Sequence, residues 1–131
     1  MANIENYAFT ATTELGFEET IEKVTALLAD QGFGILSEID VQATLKKKLD
    51  VDYKPYKILG ACNPPFAHKS LEANELIGVF LPCNVVVWDN GDNRTISAMN
   101  PRVMSDIMDN VEIDVVAAGI TEKLKNVFSQ F

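Results

Sequence analysis

A strand and a helix meet in the stretch Ile58-Leu59-Gly60-Ala61-Cys62-Asn63-Pro64-Pro65-Phe66-Ala67-His68. Its first half alternates between two faces, which is typical of a β-strand. Asn63 is a favoured N-cap residue and Pro64 suits the first helical position, so a helix is predicted to begin here. A second stretch, Val79-Phe80-Leu81-Pro82-Cys83-Asn84-Val85-Val86-Val87, has high β propensity. Together the two stretches contain both cysteines and the only histidine of the chain.

Upstream of this segment, the pattern predicts two strands, two helices and the beginning of a third strand. Residues 4–12 alternate as a strand, and residues 33–39 do so again. Between them, Gly16 is predicted to cap a helix whose apolar stripe is Phe17, Ile21, Val24 and Leu28 and which stops at Gly32. Asp40 is predicted to cap a short helix through Leu49, with three lysines in its last turn. The third strand then runs from residue 53 to residue 62.

Downstream, the helix after Asn63 is predicted to end near Asn74, and a strand follows over residues 79–88. Pro82 lies within this strand and indicates an edge position or a bulge near Cys83. Residues 89–93 form a turn cluster, so residues 94–99 are expected to return antiparallel. Asn100-Pro101 opens a short helical turn, and a last helix runs from about residue 111 to 128 with Val116, Ile120, Leu124 and Val127 as its apolar stripe.

The order β-α-β-α-β-α-β-β-α predicts an α+β fold in a single domain over residues 1–131. We expect a two-layer sandwich with a mixed sheet of about five strands and helices packed on one face. The other face then needs cover, and its apolar residues predict a homodimer.

Composition excludes several classes of function. The net charge is -8, which argues against a nucleic-acid partner. No apolar run reaches the length of about 20 residues that spans a bilayer, so no membrane association is expected. The first six residues contain no basic segment followed by an apolar run, so we expect no signal peptide and a cytoplasmic protein with reduced cysteines.

The two cysteines are the first candidates for chemistry. Cys62 directly precedes a helix N-terminus, where a thiol can become more nucleophilic. However, Pro64 and Pro65 lack the N–H groups that make such a helix end attractive to anions. Cys62 and Cys83 equally suit a packed core, because free cysteine is among the most buried residue types.

His68 adds a possible base or metal ligand. It follows Cys62 by six positions, and a Cys-His pair is a recurrent nucleophile arrangement. An ordinary surface histidine is the alternative. Cys62, His68 and Cys83 also form a candidate set of three metal ligands, although their spacing is not that of a zinc knuckle.

Three further polar residues are candidates for ligand binding. Asn63 has a structural role as the predicted helix cap. Asn84 lies in an apolar strand, where a buried amide needs a partner. Asp40 lies at a strand end. The chain has no glycine-rich phosphate loop, nucleophile elbow or zinc-protease motif.

The stretches 32–41, 56–68 and 81–87 together resemble the family known as domain of unknown function 302, and the resemblance covers nearly the whole chain. It implies a small α+β domain that is dimeric, and it implies no agreed reaction. Its signature positions correspond here to Asp40, Cys62, Asn63, Pro64, Pro65, His68, Pro82, Cys83 and Asn84.

Three hypotheses follow for the function, with the enzyme class and any cofactor left open. The first is a cytoplasmic homodimer with a small ligand-binding pocket near the two Cys-Asn steps. The second is a thiol-based redox or metal-dependent enzyme in which Cys62 is the nucleophile and Cys83 resolves. The third is a structural or interaction module without a chemical site.

Overall fold

The computed structural model describes residues 3–4, as backbone only, and residues 7–131. Within these residues, six strands and five α-helices follow one another, with a 3-10 helix at Glu75–Phe80 between the third helix and the fifth strand. The strands are β1 (Asn3–Ile4), β2 (Ala8–Thr13), β3 (Gly34–Asp40), β4 (Tyr56–Cys62), β5 (Cys83–Asp89) and β6 (Arg94–Met99). The helices are α1 (Phe17–Asp30), α2 (Val41–Leu49), α3 (Pro64–Ala73), α4 (Arg102–Met108) and α5 (Val111–Phe128).

The strands form one sheet in the order β1-β2-β6-β5-β4-β3. Every pairing between described strands is antiparallel. The α+β class and the five long strands are therefore confirmed, whereas the sheet is antiparallel and not mixed. The reason is that β2 and β3, which are joined through α1, lie in different parts of the sheet and do not pair with each other.

Helices cover one face of the sheet. α1 and α5 pack their predicted stripes against inward-facing strand residues, which form a core with Val24, Leu28, Ile120, Leu124, Phe9, Leu59, Val85, Val87 and Ile96 among its members. A smaller cluster of Ile77, Met104 and Ile113 lies where α4 and α5 meet. The opposite face, here called the outer face, carries Tyr56, Ile58, Val86 and Trp88, all partly buried, and Ile39, which is 49% exposed.

Two helix starts follow the sequence pattern. Asp40 caps α2 by accepting a hydrogen bond from the Ala43 N–H at 2.9 Å. The Asn110 side chain caps α5 by accepting from the N–H groups of Glu112 and Ile113. Within the described part of the chain, no helix is long and apolar enough to cross a membrane.

The strand predicted over residues 79–88 begins later and lies elsewhere in the sheet. Residues up to Phe80 form the 3-10 helix, Pro82 precedes β5, and the Leu81–Pro82 peptide bond is cis. β5 is a central strand between β4 and β6, so the predicted edge position is wrong. Because proline has no N–H to donate to a neighbour, the central strand starts only after it.

A bulge in β3 interrupts the alternation that the sequence predicts for this strand. Ile35 pairs with Ala61, but Ser37 pairs with Gly60, so Leu36 is the extra residue. The alternation predicted over residues 33–39 is therefore broken, because a bulge moves the residues beyond it to the other face. Ser37 thus covers Gly60 on the outer face, where a Cβ on Gly60 would collide with the Ser37 hydroxyl.

Candidate functional site

The sheet brings the two cysteines to the same end of neighbouring strands. Cys62 is the last residue of β4 and Cys83 is the first residue of β5. The antiparallel register pairs Ala61 with Cys83, so Cys62 is one residue beyond that pair. Both cysteines are free thiols. Two residues that are 21 positions apart in the chain thereby become close neighbours.

A small cavity of about 20 Å³ lies between this end of the sheet and α3, α4 and α5. Its volume is enough for one water molecule. Apart from the two cysteines, its wall is mostly hydrocarbon. The wall consists of Phe33, Ala61, Cys62, Asn63, Phe66, Ala67, Ser70, Leu81, Pro82, Cys83, Met104 and Ile120.

The two thiols have different environments. Cys62 is partly buried, whereas Cys83 is buried with 7% of its surface exposed. Burial, and to a smaller extent the nearby charge of a Cys62 thiolate, raise the pKa of the Cys83 thiol from 9.0 to about 11. Burial acts in this direction because it disfavours the charged thiolate. At neutral pH, Cys83 is therefore a neutral thiol beside a more accessible one.

Asn63 lines the same cavity but does not cap α3 as predicted. It occupies the N-cap position without a side-chain cap bond. Instead, its Nδ2 donates a hydrogen bond to the Gln31 carbonyl at 3.1 Å. Gly32 next to it has a φ of 86°, and a Cβ at Gly32 would lie 3.2 Å from that nitrogen. The side chain of Asn63 thus ties the start of α3 to the end of α1, because the carbonyls of a helix end need donors.

His68 lies away from the cysteines. Its side chain is 76% exposed on α3, and its Nε2 is 3.1 Å from the Glu72 carboxylate one turn later. It lines a different groove of about 410 Å³ between α3 and α5, together with Val111 and Val115. Although this groove is much larger than the cysteine cavity, it does not include either thiol. The predicted Cys-His pair is therefore not formed.

Asn84 and Asp40 are also outside the cavity. Asn84 is exposed on β5 and pairs with Gly60 of β4. Both positions belong to the outer face of the sheet. The Asn84 amide therefore needs no buried partner, because the alternation that buries Cys83 and Val85 turns Asn84 outward. Asp40 is exposed, and its carboxylate serves as the cap of α2.

The predicted set of three metal ligands does not assemble within one chain. Among the described residues, no group of three or more His, Cys, Asp and Glu side chains is placed to hold a metal ion. Cys62 and Cys83 come together, but His68 does not join them.

The sequence pattern missed Met104 as part of this region. Met104 is buried on α4 and is part of the cavity wall. In the chain, α4 comes after β6, the strand that follows β5. No local motif marks it, because an apolar residue on a short helix is expected simply as core. Only the packing of α4 against the sheet end identifies it.

Comparisons with known proteins agree with the resemblance. The model of the family "Domain of unknown function DUF302" matches residues 9–131. A crystal structure of an uncharacterized conserved DUF302 protein from Bacillus stearothermophilus is 31% identical, with a TM-score of 0.88, and the match covers 96% of this chain and 98% of that one. No curated protein matches. The chain therefore belongs to the DUF302 family.

Proposed function

We propose that this protein is a cytoplasmic homodimer that binds a small ligand through the thiol pair of Cys62 and Cys83. One observation carries the proposal: two cysteines distant in sequence are both among the residues that line one cavity, and one of them is partly exposed while the other is buried. The cavity holds about 20 Å³, so the part of the ligand that enters it is no larger than a few atoms. Free thiols are usual in a reducing compartment, which supports the cytoplasmic location.

Arsenite tests whether the two thiols act together. Trivalent arsenic forms bonds to two neighbouring thiols and releases water, so it is a small probe for a thiol pair. We expect one arsenic per chain by mass spectrometry of the native protein, with both cysteines protected from iodoacetamide. Cys62→Ser and Cys83→Ser should each abolish retention, while Ser70→Ala, in the same wall, should retain it.

Failure of this experiment has a clear meaning. If wild-type protein retains no arsenic and both cysteines are alkylated at unchanged rates, the thiols do not form a joint site. The structural or interaction module then becomes the better hypothesis.

A redox function is the second candidate, and the same neighbouring thiols favour it. Oxidation would join Cys62 and Cys83 in a disulfide while two electrons and two protons pass to an oxidant such as diamide. The expected product is a chain that is 2 Da lighter and has no free thiol. Intact mass after brief treatment measures it, and a product with two independent adducts would contradict it.

The outer face supports the homodimer. Its partly buried residues, Tyr56, Ile58, Val86 and Trp88, are not part of the core on which α1 and α5 pack. Tyr56 and Trp88 stack with their ring centroids 5.5 Å apart, which makes a flat apolar surface. Such a surface on an antiparallel sheet can be covered by a second copy of the chain. The mass of the protein in solution tests this proposal.

A further inference from the structure

The side chain of Phe66 is part of the wall of the cysteine cavity and is also partly exposed to solvent. Phe66 belongs to the first turn of α3, and its ring packs against the main core. The buried Cys83 lines the same cavity, with only 7% of its surface exposed. Phe66 therefore extends from the surface of the protein to the space that Cys83 lines.

The ring of Phe66 rests on α5 at Gly119. A Cβ at Gly119 would lie 2.7 Å from two carbon atoms of the ring. Carbon atoms that are not bonded to each other prefer a separation of about 3.5–4.0 Å, so a side chain at this position would displace the ring. Glycine is less favourable than alanine within a helix, yet here it leaves the place that the ring occupies.

Two lysine side chains lie near the same ring, one from each of the two helices. The Nζ atoms of Lys69 on α3 and Lys123 on α5 are each 6.0 Å from the ring centroid. This distance is at the limit of a cation–π interaction, and such interactions are weak where the groups are exposed. The lysines therefore add little to the packing that holds the ring on α5.

Phe66 differs from the other partly exposed residues of the cavity wall, which are Cys62, Ala67, Leu81 and Pro82. Ala67 has only a methyl group, and the ring of Pro82 is fixed to the backbone. Cys62 has a small side chain at the end of β4, and Leu81 packs against the smaller cluster around Ile77. Rotation of the Phe66 side chain would therefore open the widest passage without moving the backbone.

With the ring on Gly119, the cavity holds about 20 Å³, which is enough for one water molecule. A ligand with a larger group needs the space that the ring occupies. We propose that the Phe66 side chain is a lid that swings away from Gly119 and admits ligands to Cys83. This inference rests on the proposed function and names how access to its site is controlled.

The test is the rate at which Cys83 reacts with iodoacetamide, measured by intact mass on full-length variants that all carry Cys62→Ser. Gly119→Ala keeps every residue of the wall but displaces the ring, so Cys83 should react about 10-fold faster or more. Phe66→Ala removes the lid and should accelerate the reaction at least as much. Ala118→Ser, at the exposed position before Gly119, is the matched control and should not change the rate.

A double variant shows whether Gly119→Ala acts through the ring. When Phe66→Ala is already present, adding Gly119→Ala should leave the rate unchanged, because the ring that the new Cβ would displace is absent. A bulky maleimide separates lid opening from unfolding. An open lid should accelerate the reaction with iodoacetamide more than the reaction with the maleimide, whereas unfolding exposes Cys83 to both reagents.

Three results would each overturn the lid: unchanged iodoacetamide rates in Gly119→Ala and Phe66→Ala, additive effects in the double variant, or equal acceleration with both reagents. Arsenite retention by the wild-type protein tests the proposed function separately. Arsenite retention with unchanged alkylation rates would refute the lid alone. No arsenite retention, together with the expected alkylation rates, would refute the proposed function and leave the lid in place.

Discussion

At the scale of single residues, the two cysteines are chemically distinct although both are free. Cys83 is enclosed by the core, and its thiol is held neutral by burial. Cys62 is partly exposed. Cys62 is therefore the cysteine that a reagent from solvent reaches more easily.

The raised pKa of Cys83 predicts a loss of stability at alkaline pH. As pH rises above 9.0, the thiol in the unfolded chain loses its proton, while the folded protein keeps it until about pH 11. The folded state then binds more protons, so rising pH favours unfolding. At pH 10, a shift of about two pH units costs about 1 kcal/mol.

Urea unfolding of the reduced, metal-free protein at pH 8 and pH 10 measures this effect. Wild type should lose about 1 kcal/mol more than Cys83→Ala over this interval, because only wild type carries the buried thiol. The comparison removes the contributions of other titrating groups. Equal losses in both proteins would show that Cys83 does not titrate differently in the folded state.

At the scale of elements, the side-chain cap of a helix was predicted correctly where its bond is local. The prediction was wrong where the capping side chain bonds instead to a residue distant in sequence. Asp40 caps α2 as predicted, because its carboxylate reaches an N–H only three residues away. Asn63 has the same sequence signal, yet its side chain bonds to Gln31, which is 32 positions earlier. The alternative partner exists only because α1 ends beside the start of α3.

The cap of α5 should contribute to global stability, because this helix packs across the core. Asn110→Ala removes two side-chain hydrogen bonds and should lower the free energy of unfolding by about 1 kcal/mol. Asn110→Ser keeps a capping oxygen and should remain close to wild type. Chemical denaturation at pH 7 measures both variants.

Asp40→Ala removes the cap of α2, a helix that buries no residue, and is therefore compared with Asn110→Ala on α5. α2 has no buried side chain, so its cap should affect mainly local fraying, seen as faster amide exchange within residues 41–49. A global loss in Asp40→Ala equal to that in Asn110→Ala would contradict this division between core and peripheral helices.

At the scale of the whole molecule, the outer face of the sheet lies opposite the main core. α1 and α5 both pack on the other side. The strand ends that carry the cysteines therefore lie under the helices, while the stacked Tyr56 and Trp88 lie on the outer face. A dimer formed through the outer face would leave the cavity on the helical side of each protomer.

Sedimentation equilibrium tests this assembly. Wild type should have twice the chain mass of 14.5 kDa. Val86→Glu places a charge at the centre of the outer face and should give monomers, since an unpaired buried charge is costly. Val115→Glu, at a position of α5 that is 68% exposed, should remain dimeric. A monomeric wild type, or equal dissociation of both variants, would rule out this interface.

The sequence by itself determined the α+β class, most helix and strand positions, and the apolar stripes of α1 and α5. These follow from local periodicity and capping, which depend on residues within a few positions of each other. Only the tertiary structure decided the strand order, the central position of β5, the side of the sheet that Asn84 faces and the distance of His68 from the cysteines. It also placed Cys62, Cys83 and Met104 in the wall of one cavity, because contacts between separate elements depend on how the layers pack and leave no periodic signal in the chain.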